Sequence, residues 1–285
     1  MITKYKQKDV VCGESYITTT IYPEYTPPKG SRKRKSRPTS EVQQHLNDEH
    51  RKNYVSNLVN TNYTPSDYWA TITYNDEHLP TNFTDAVHEL NKFIERIRYY
   101  AKTNGLPMPK IIAVTGYGSR RKRLHHHLII SGFIPIDEFT DRWRDKKGDW
   151  RGWVDVKPLQ FDKFGVDCLA KYFIKHIEEN KKSGIKKPYF RSRNLTEPTE
   201  KTKNAKISRR QIEFAKSFTD ISIFERLHPE YQIADMTPYY NDCNGGYYFT
   251  IKYYRPPKKR KGKRAKQNEV SRRQKPHRKR HRKNN

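Results

Sequence analysis

The stretch "RKRLHHHLIISGF", residues 121–133, sets three histidines ahead of an aliphatic run. Bounded by a basic turn before it and Ser131-Gly132 after it, the run predicts a β-strand. Alternate residues of a strand share a face, so His125 and His127 point one way and His126 the other. Two imidazoles two residues apart on a stiff strand are well placed to chelate one divalent ion. A solvent-exposed histidine run, or one core histidine beside two surface ones, explains the same letters, so the neighbouring sequence must decide.

Working outward, "KIIAVTGY" (110–117) predicts a strand joined to the first through "GSRRKR", a connection short enough for a hairpin. Upstream, "YWATITY" (68–74) is β-branched and aromatic and reads as another strand. Thr84 is a candidate cap for a helix running to about Lys102, with Ala86, Leu90, Phe93, Ile94, Ile97 and Ala101 at three- and four-residue spacing. Downstream, "IDEFTDRW" predicts a short helix and "GWVDVKPL" (152–159) a strand. "DKFGVDCLAKYFIKHIEEN" (162–180) predicts an amphipathic helix with Leu169, Tyr172, Phe173 and His176 on one face. Strand, helix, two strands, short helix, strand, helix gives an α+β fold, a central antiparallel sheet with helices packed on it. The division expected is an N-terminal extension (1–60), the main domain (61–200), an added helix and strand (201–255) and a basic tail (256–285). The strand of that addition is "GGYYFTIKYYR" (245–255).

The charge is lopsided. Lys and Arg number 59 against 31 Asp and Glu, for a net +28, and only 33% of residues are hydrophobic. Residues 256–285 hold fifteen Lys or Arg and one acid, Glu269, so the tail supplies fourteen of those charges. It reads as a disordered basic arm, and "KGSRKRKSRP" (29–38) as a second flexible segment. Such charge calls for a polyanionic partner, because basic side chains displace counterions condensed on a phosphate backbone. Cys12, Cys168 and Cys243 are odd in number and lack a CxxC pair, against a disulfide framework and a zinc ribbon. "MITKYKQKDV" lacks the apolar core of a signal peptide and no stretch approaches eighteen apolar residues, so a soluble, cytoplasmic protein is expected.

Tyr172 and Lys175 lie three apart, neighbours on a helix surface. A tyrosine that attacks a phosphodiester needs its developing charge stabilised by a cation, which a lysine one turn away supplies while a metal polarises the phosphate oxygens. An ordinary amphipathic helix with Tyr172 at the core edge is the plain alternative. Taken together, the paired histidines, the tyrosine–lysine helix and the basic chain resemble the HUH endonucleases, the rolling-circle replication initiators of small plasmids, prophages and single-stranded DNA phages. The resemblance covers roughly residues 60–200. "WATITYNDEHLP" is similar to the family's first motif, "AVTGYGSRRKRLHHHLIISG" to its second and "CLAKYFIKH" to its third, while "PYFRSRNLTEP" (188–198) resembles a segment that follows the tyrosine helix.

The resemblance implies a ferredoxin-like or RRM-like nuclease fold. It also implies a divalent ion, Mn²⁺ or Mg²⁺, on His125 and His127, and Tyr172 attacking a single-stranded DNA origin. The products are a 5′-phosphotyrosine and a 3′-hydroxyl that primes synthesis. His126 falls where the family has a hydrophobic residue. The expected DNA contacts are Arg120, Arg121, Lys122, Arg123, Lys171, Arg191 and Arg193. With no "GxxxxGK[ST]" loop in the sequence, an external helicase is expected alongside a DNA polymerase. Two positions depart from the pattern. Gly116 stands where the family offers a glutamate ligand, leaving a gap for water or for Asp76 or Glu77, and Cys168 stands where two-tyrosine initiators have a second tyrosine. A degenerate, non-catalytic nucleic-acid-binding domain would explain Gly116; a relaxase or single-tyrosine transposase would share the chemistry.

Overall fold

Strands β1 (Tyr5–Cys12) and β2 (Tyr16–Pro23) come first, then helix α1 (Glu41–Asn62), β3 (Tyr68–Thr73), α2 (Phe83–Thr103), β4 (Ile111–Tyr117) and β5 (Leu124–Ile130). They are followed by α3 (Ile136–Asp141), β6 (Val154–Pro158), α4 (Asp167–Lys182), β7 (Phe190–Arg191), β8 (Thr199–Asn204), α5 (Arg209–Ala215), α6 (Ser222–Glu225), β9 (Gln232–Asn241) and β10 (Gly246–Tyr254). The structure, a computed structural model, describes residues 4–24, 41–118, 122–182, 184, 185, 187, 189–215, 221–241 and 246–256. The basic run 29–38, Arg120, Arg121, the Cys168 side chain, Cys243 and the tail from residue 257 lie outside the described residues.

The expected antiparallel sheet is present, in the order β6-β3-β5-β4-β7. Its first four strands, with α2 and α3, form a split β-α-β-β-α-β unit. Helix α2 covers one face, packing Leu90, Phe93, Ile94 and Ile97 on Ala70, Ile72, Ala113 and Leu128. Helices α1 and α4 cover the other through Leu58, Val59, Phe173 and Ile177 on Ile112, Val114 and Ile129. Covered on both faces, β4 and β5 are buried nearly end to end, which is why their sequence is a continuous apolar run rather than an alternation. Each such side chain fully buried is worth about 1.5–3 kcal/mol. The cap of α2 is Asn82 rather than Thr84: Asn82 Oδ1 accepts the Asp85 amide at 2.9 Å and its Nδ2 donates to the Asp85 carboxylate at 2.8 Å. An amide reaching the first orphan N–H does the capping work one turn ahead of the apolar face.

The second sheet lies where the sequence shows least. Its order is β8-β1-β2-β10-β9, so residues 5–23 pair with residues 199–254, and the N-terminal segment and the C-terminal addition form one structure. Ile21, Phe249, Ile251, Ile212 and Phe224 build its core. The inward positions of β1 and β2 also carry Gln7, Asp9 and Thr19, all buried. Asp9 accepts from Gln7 Nε2 at 2.9 Å and Thr19 Oγ1 at 2.8 Å, and lies 3.3 Å from His228 Nε2 and 3.2 Å from Lys203 Nζ. Polar residues facing inward erase the hydrophobic alternation by which a strand is recognised.

Burial by itself would raise the Asp9 carboxyl, but hydrogen bonds from His228, Gln7, Thr19 and Lys203 outweigh it and hold the group well below the ordinary carboxylate range. A carboxyl depressed in the folded state adds stability that is present above its unfolded value, near 3.9, and drains away as the pH falls below it. Asp9→Asn should therefore lower stability at pH 7 by about 2–4 kcal/mol, with the difference from the native protein shrinking between about pH 5 and pH 2. Urea unfolding of both proteins across that range checks this; a pH-independent difference would show that the charge of Asp9 contributes nothing.

Candidate functional site

Strand β5 lies between β3 and β4, with His125 opposite Thr73 and Gly116, and His127 opposite Thr71 and Val114. His126 points to the α2 side and is fully buried. Its Nε2 lies 2.6 Å from the Tyr74 hydroxyl and its Nδ1 2.9 Å from Thr115 Oγ1. Burial, and then His125, push it down to about 3, so it is a neutral core histidine with both nitrogens occupied.

His125 and His127 stand on the opposite face, ring centroids 4.7 Å apart. Helix α4 adds His176. One ring nitrogen from each of His125, His127 and His176 lies within 4.8 Å of the others, close enough together to hold a metal ion. Gly116 makes this possible. A Cβ there would sit 2.2 Å from His176 Nδ1, so only glycine lets the imidazole lie against β4. The Asn180 amide, one helical turn on, donates to the Thr115 carbonyl at 2.9 Å and fixes the helix at that point. The expected gap at Gly116 is therefore filled, by a histidine from another element. Asp76 and Glu77 do not belong to the cluster; Asp76 pairs with Arg123 instead.

The three residues suit a divalent cation. His125 Nδ1 donates to the Arg123 carbonyl at 3.2 Å, which leaves Nε2 as the lone-pair nitrogen. His127 Nδ1 lies 3.2 Å from Thr71 Oγ1, and its buried Nε2 has no hydrogen-bond partner. Both His176 nitrogens are also buried without a hydrogen bond, although Nδ1 lies 3.4 Å from a Glu179 carboxylate oxygen. Burial first, then proximity to one another, lowers the titration of His127 and His176; burial lowers His125 against the opposing pull of the Arg123 carbonyl. Neutral imidazoles with unused nitrogens are the form a metal requires. Three nitrogens and no carboxylate favour Mn²⁺ or a later transition ion over Mg²⁺.

Tyr172 sits directly on this cluster. Its ring meets His127 and His176 edge-on, at 4.8 and 4.9 Å between centroids, while 42% of the residue remains exposed. Trp69 stacks on His127 at 5.0 Å and braces the far side. Beside them an open cleft of about 700 Å³ runs from Trp69 and Thr71 past Lys157 to Phe161. Burial, and then Glu179, raise the Tyr172 phenol above its ordinary value. Lys175 and Lys171 are exposed on the same helix.

The expected basic contacts divide. Lys122 is exposed at the end of the β4–β5 hairpin, next to the histidines. Arg123 is held by Asp76 and by the Tyr74 carbonyl. Arg191 pairs with Ile112 at the other end of β4, about 13 Å along the strand from Gly116. There it is locked to Glu197 and Tyr54. Arg193 is exposed at that same remote end. His176 was legible only as a packing residue. The signal that it does more was the four-residue step from Tyr172 combined with a glycine inside a strand, a mark of close approach.

Residues 67–181 match a family of replication-associated proteins, described under the name Replication-associated protein ORF2, a span running from the threshold of β3 to the end of α4. Replication-associated protein ORF2 of Spiroplasma virus 4 is 33% identical over 98 residues, which cover 33% of this chain and 30% of that protein. The chain thus spans less than a third of its curated relative's length. No solved structure matches. The matched region holds the three histidines, Gly116 and Tyr172, and excludes the second sheet.

Replacing His125, His127 or His176 by Ala should each weaken Mn²⁺ binding at least tenfold, about the scale of losing one ligand contact. Gly116→Ala should do the same without removing any ligand, because its methyl group displaces His176. His126→Leu should leave Mn²⁺ affinity nearly unchanged and cost about 1–3 kcal/mol of stability, since the Tyr74 and Thr115 hydroxyls lose their partner. Calorimetric Mn²⁺ titration and urea unfolding separate these outcomes; native-like Mn²⁺ binding by Gly116→Ala would dissolve the proposed triad.

Proposed function

We propose that this protein initiates replication by nicking single-stranded DNA in the manner of the HUH endonucleases, with Tyr172 as nucleophile. The observation that carries this reading is the edge-on packing of an exposed tyrosine against two histidines of a site able to hold a metal. The phenol titrates high, so it reaches the site protonated and must lose its proton as it attacks. Lys175, one turn along α4, supplies positive charge beside the developing phenolate. A divalent ion on His125, His127 and His176 would polarise a phosphate oxygen.

The Tyr172 oxygen bonds to phosphorus, the bond from phosphorus to O3′ breaks, and O3′ takes up a proton while the phenolic proton leaves to solvent. The products are a 5′-phosphotyrosine and a 3′-hydroxyl. A phosphodiester has become another phosphodiester, so the linkage can be handed back to a 3′-hydroxyl. Lys122, Lys171 and the other expected basic residues near the site would hold the phosphates, and a DNA polymerase and a helicase are the partners the reaction calls for.

Similarity to replication-associated proteins over 67–181 supports the reading. The argument for a non-catalytic relative was the gap at Gly116, and His176 occupies it. Tyr172 follows the histidines in sequence, the order that favours an initiator over a relaxase.

Incubation with single-stranded DNA and Mn²⁺ should give a covalent protein–DNA adduct stable to denaturing electrophoresis. Tyr172→Phe keeps the packed ring and should give none, with its unfolding midpoint unchanged. Lys175→Ala should slow adduct formation by about 10–1000-fold, and chelation of the metal should abolish it. Mg²⁺ should substitute poorly. An adduct formed by Tyr172→Phe would remove Tyr172 from the reaction.

A further inference from the structure

The face of the sheet that carries the histidines is covered by helices over β4 and β5 but not over β3 and β6. Strand pairing lays out what stands there. Trp153 pairs through its backbone with Thr73, which lies opposite His125. Asp155 lies opposite Thr71, which lies opposite His127, and Lys157 lies opposite Trp69. Directly paired residues share a face. Val154 and Val156 pack on the α2 side, so Trp153, Asp155 and Lys157 belong to the histidine side. Two tryptophan positions, Trp69 and Trp153, thus flank a floor of short side chains, Thr71 and Thr73, about 13 Å long. The slot opens onto His125 and His127.

Trp153 is 74% exposed, an unusual state for so large an apolar side chain. Nothing in its own packing explains it, since the β3–β6 pairing is made by its backbone and by Thr73 Oγ1. Trp69, by contrast, is already stacked on His127.

We propose that Trp153 is a base-stacking platform: it receives an unpaired nucleobase of the single strand whose phosphate reaches the histidines, and so positions the strand for Tyr172. The occupant is a single-stranded polynucleotide. The slot is continuous with the candidate site, it is open at the end that faces solvent, and the chain's net charge of +28 suits a phosphate backbone. A flat π-face is what an unstacked base binds, largely without regard to its identity. The proposal rests on the nicking reading for its orientation, but it makes its own claim about binding.

The test measures binding of the full-length protein to labelled single-stranded oligonucleotides with metal chelated, so that no nicking is needed, over a range of salt. Trp153→Ala should weaken binding roughly five- to a hundredfold, the worth of one stacked base. The slope of affinity against salt should not move, because no charge is removed. Trp153→Phe should recover most of the affinity, and the unfolding midpoints of all three proteins should agree. Equal affinity of Trp153→Ala and the native protein overturns the platform, and the exposed tryptophan then belongs to a protein contact. A native protein that prefers duplex DNA to single strands overturns the platform and the nicking reading's substrate together. Loss of binding in Trp153→Ala from a protein that never forms an adduct upholds the platform and removes only the chemistry.

Discussion

The approach of α4 to β4 at Gly116 is the contact on which the rest of the site depends. With a hydrogen atom as its side chain, Gly116 leaves room for the His176 imidazole flat against the strand, where any Cβ would collide with the ring. Asn180 closes the same approach with a hydrogen bond to Thr115. Once α4 is seated, Tyr172 falls one turn before His176 and is carried to the histidine cluster without any contact of its own having to place it. The position at which the resemblance to the initiators calls for a carboxylate thus holds no side chain, and the third imidazole comes from the helix that bears the tyrosine. A single helix fixing both the third imidazole and the phenol couples their positions more tightly than two separate elements would.

Helix coverage also sorts the chemistry by depth. His127 and His176 are buried under α4, which keeps them neutral and leaves their nitrogens without hydrogen bonds. Tyr172 lies at the rim of the same helix and reaches solvent. The β3–β6 half of that face is left open, with Trp69 and Trp153 on either side of two threonines. A buried donor set, an exposed hydroxyl and an open floor follow from one fact, that the helices on this side cover two strands and not four.

The second sheet answers to different physics. Its two middle strands face inward with Asp9, Gln7 and Thr19 as well as with isoleucine, and the carboxylate is satisfied by four partners drawn from β1, β2, β8 and the segment before β9. An inward carboxylate is costly unless fully bonded. The cluster therefore ties both ends of the described chain to one register. This sheet lies outside the stretch that matches the replication-associated proteins.

Where local pattern and burial agree, as in β3, α2, β5 and α4, the sequence by itself determined the elements and the α+β class. It also determined that His125 and His127 share a face that His126 does not, because a strand's two-residue period is a property of the backbone alone. It missed β1 and β2, whose inward residues are polar, and α1, whose apolar residues Val55, Leu58 and Val59 crowd into its C-terminal half. It placed Arg191 among the DNA contacts, although the fold carries that residue to the far end of β4 and pairs it there. The third imidazole was beyond its reach as well. Gly116 and His176 are sixty residues apart, and neither letter announces the other. Only the packing of a helix on a strand makes an absent side chain into the space for a ligand.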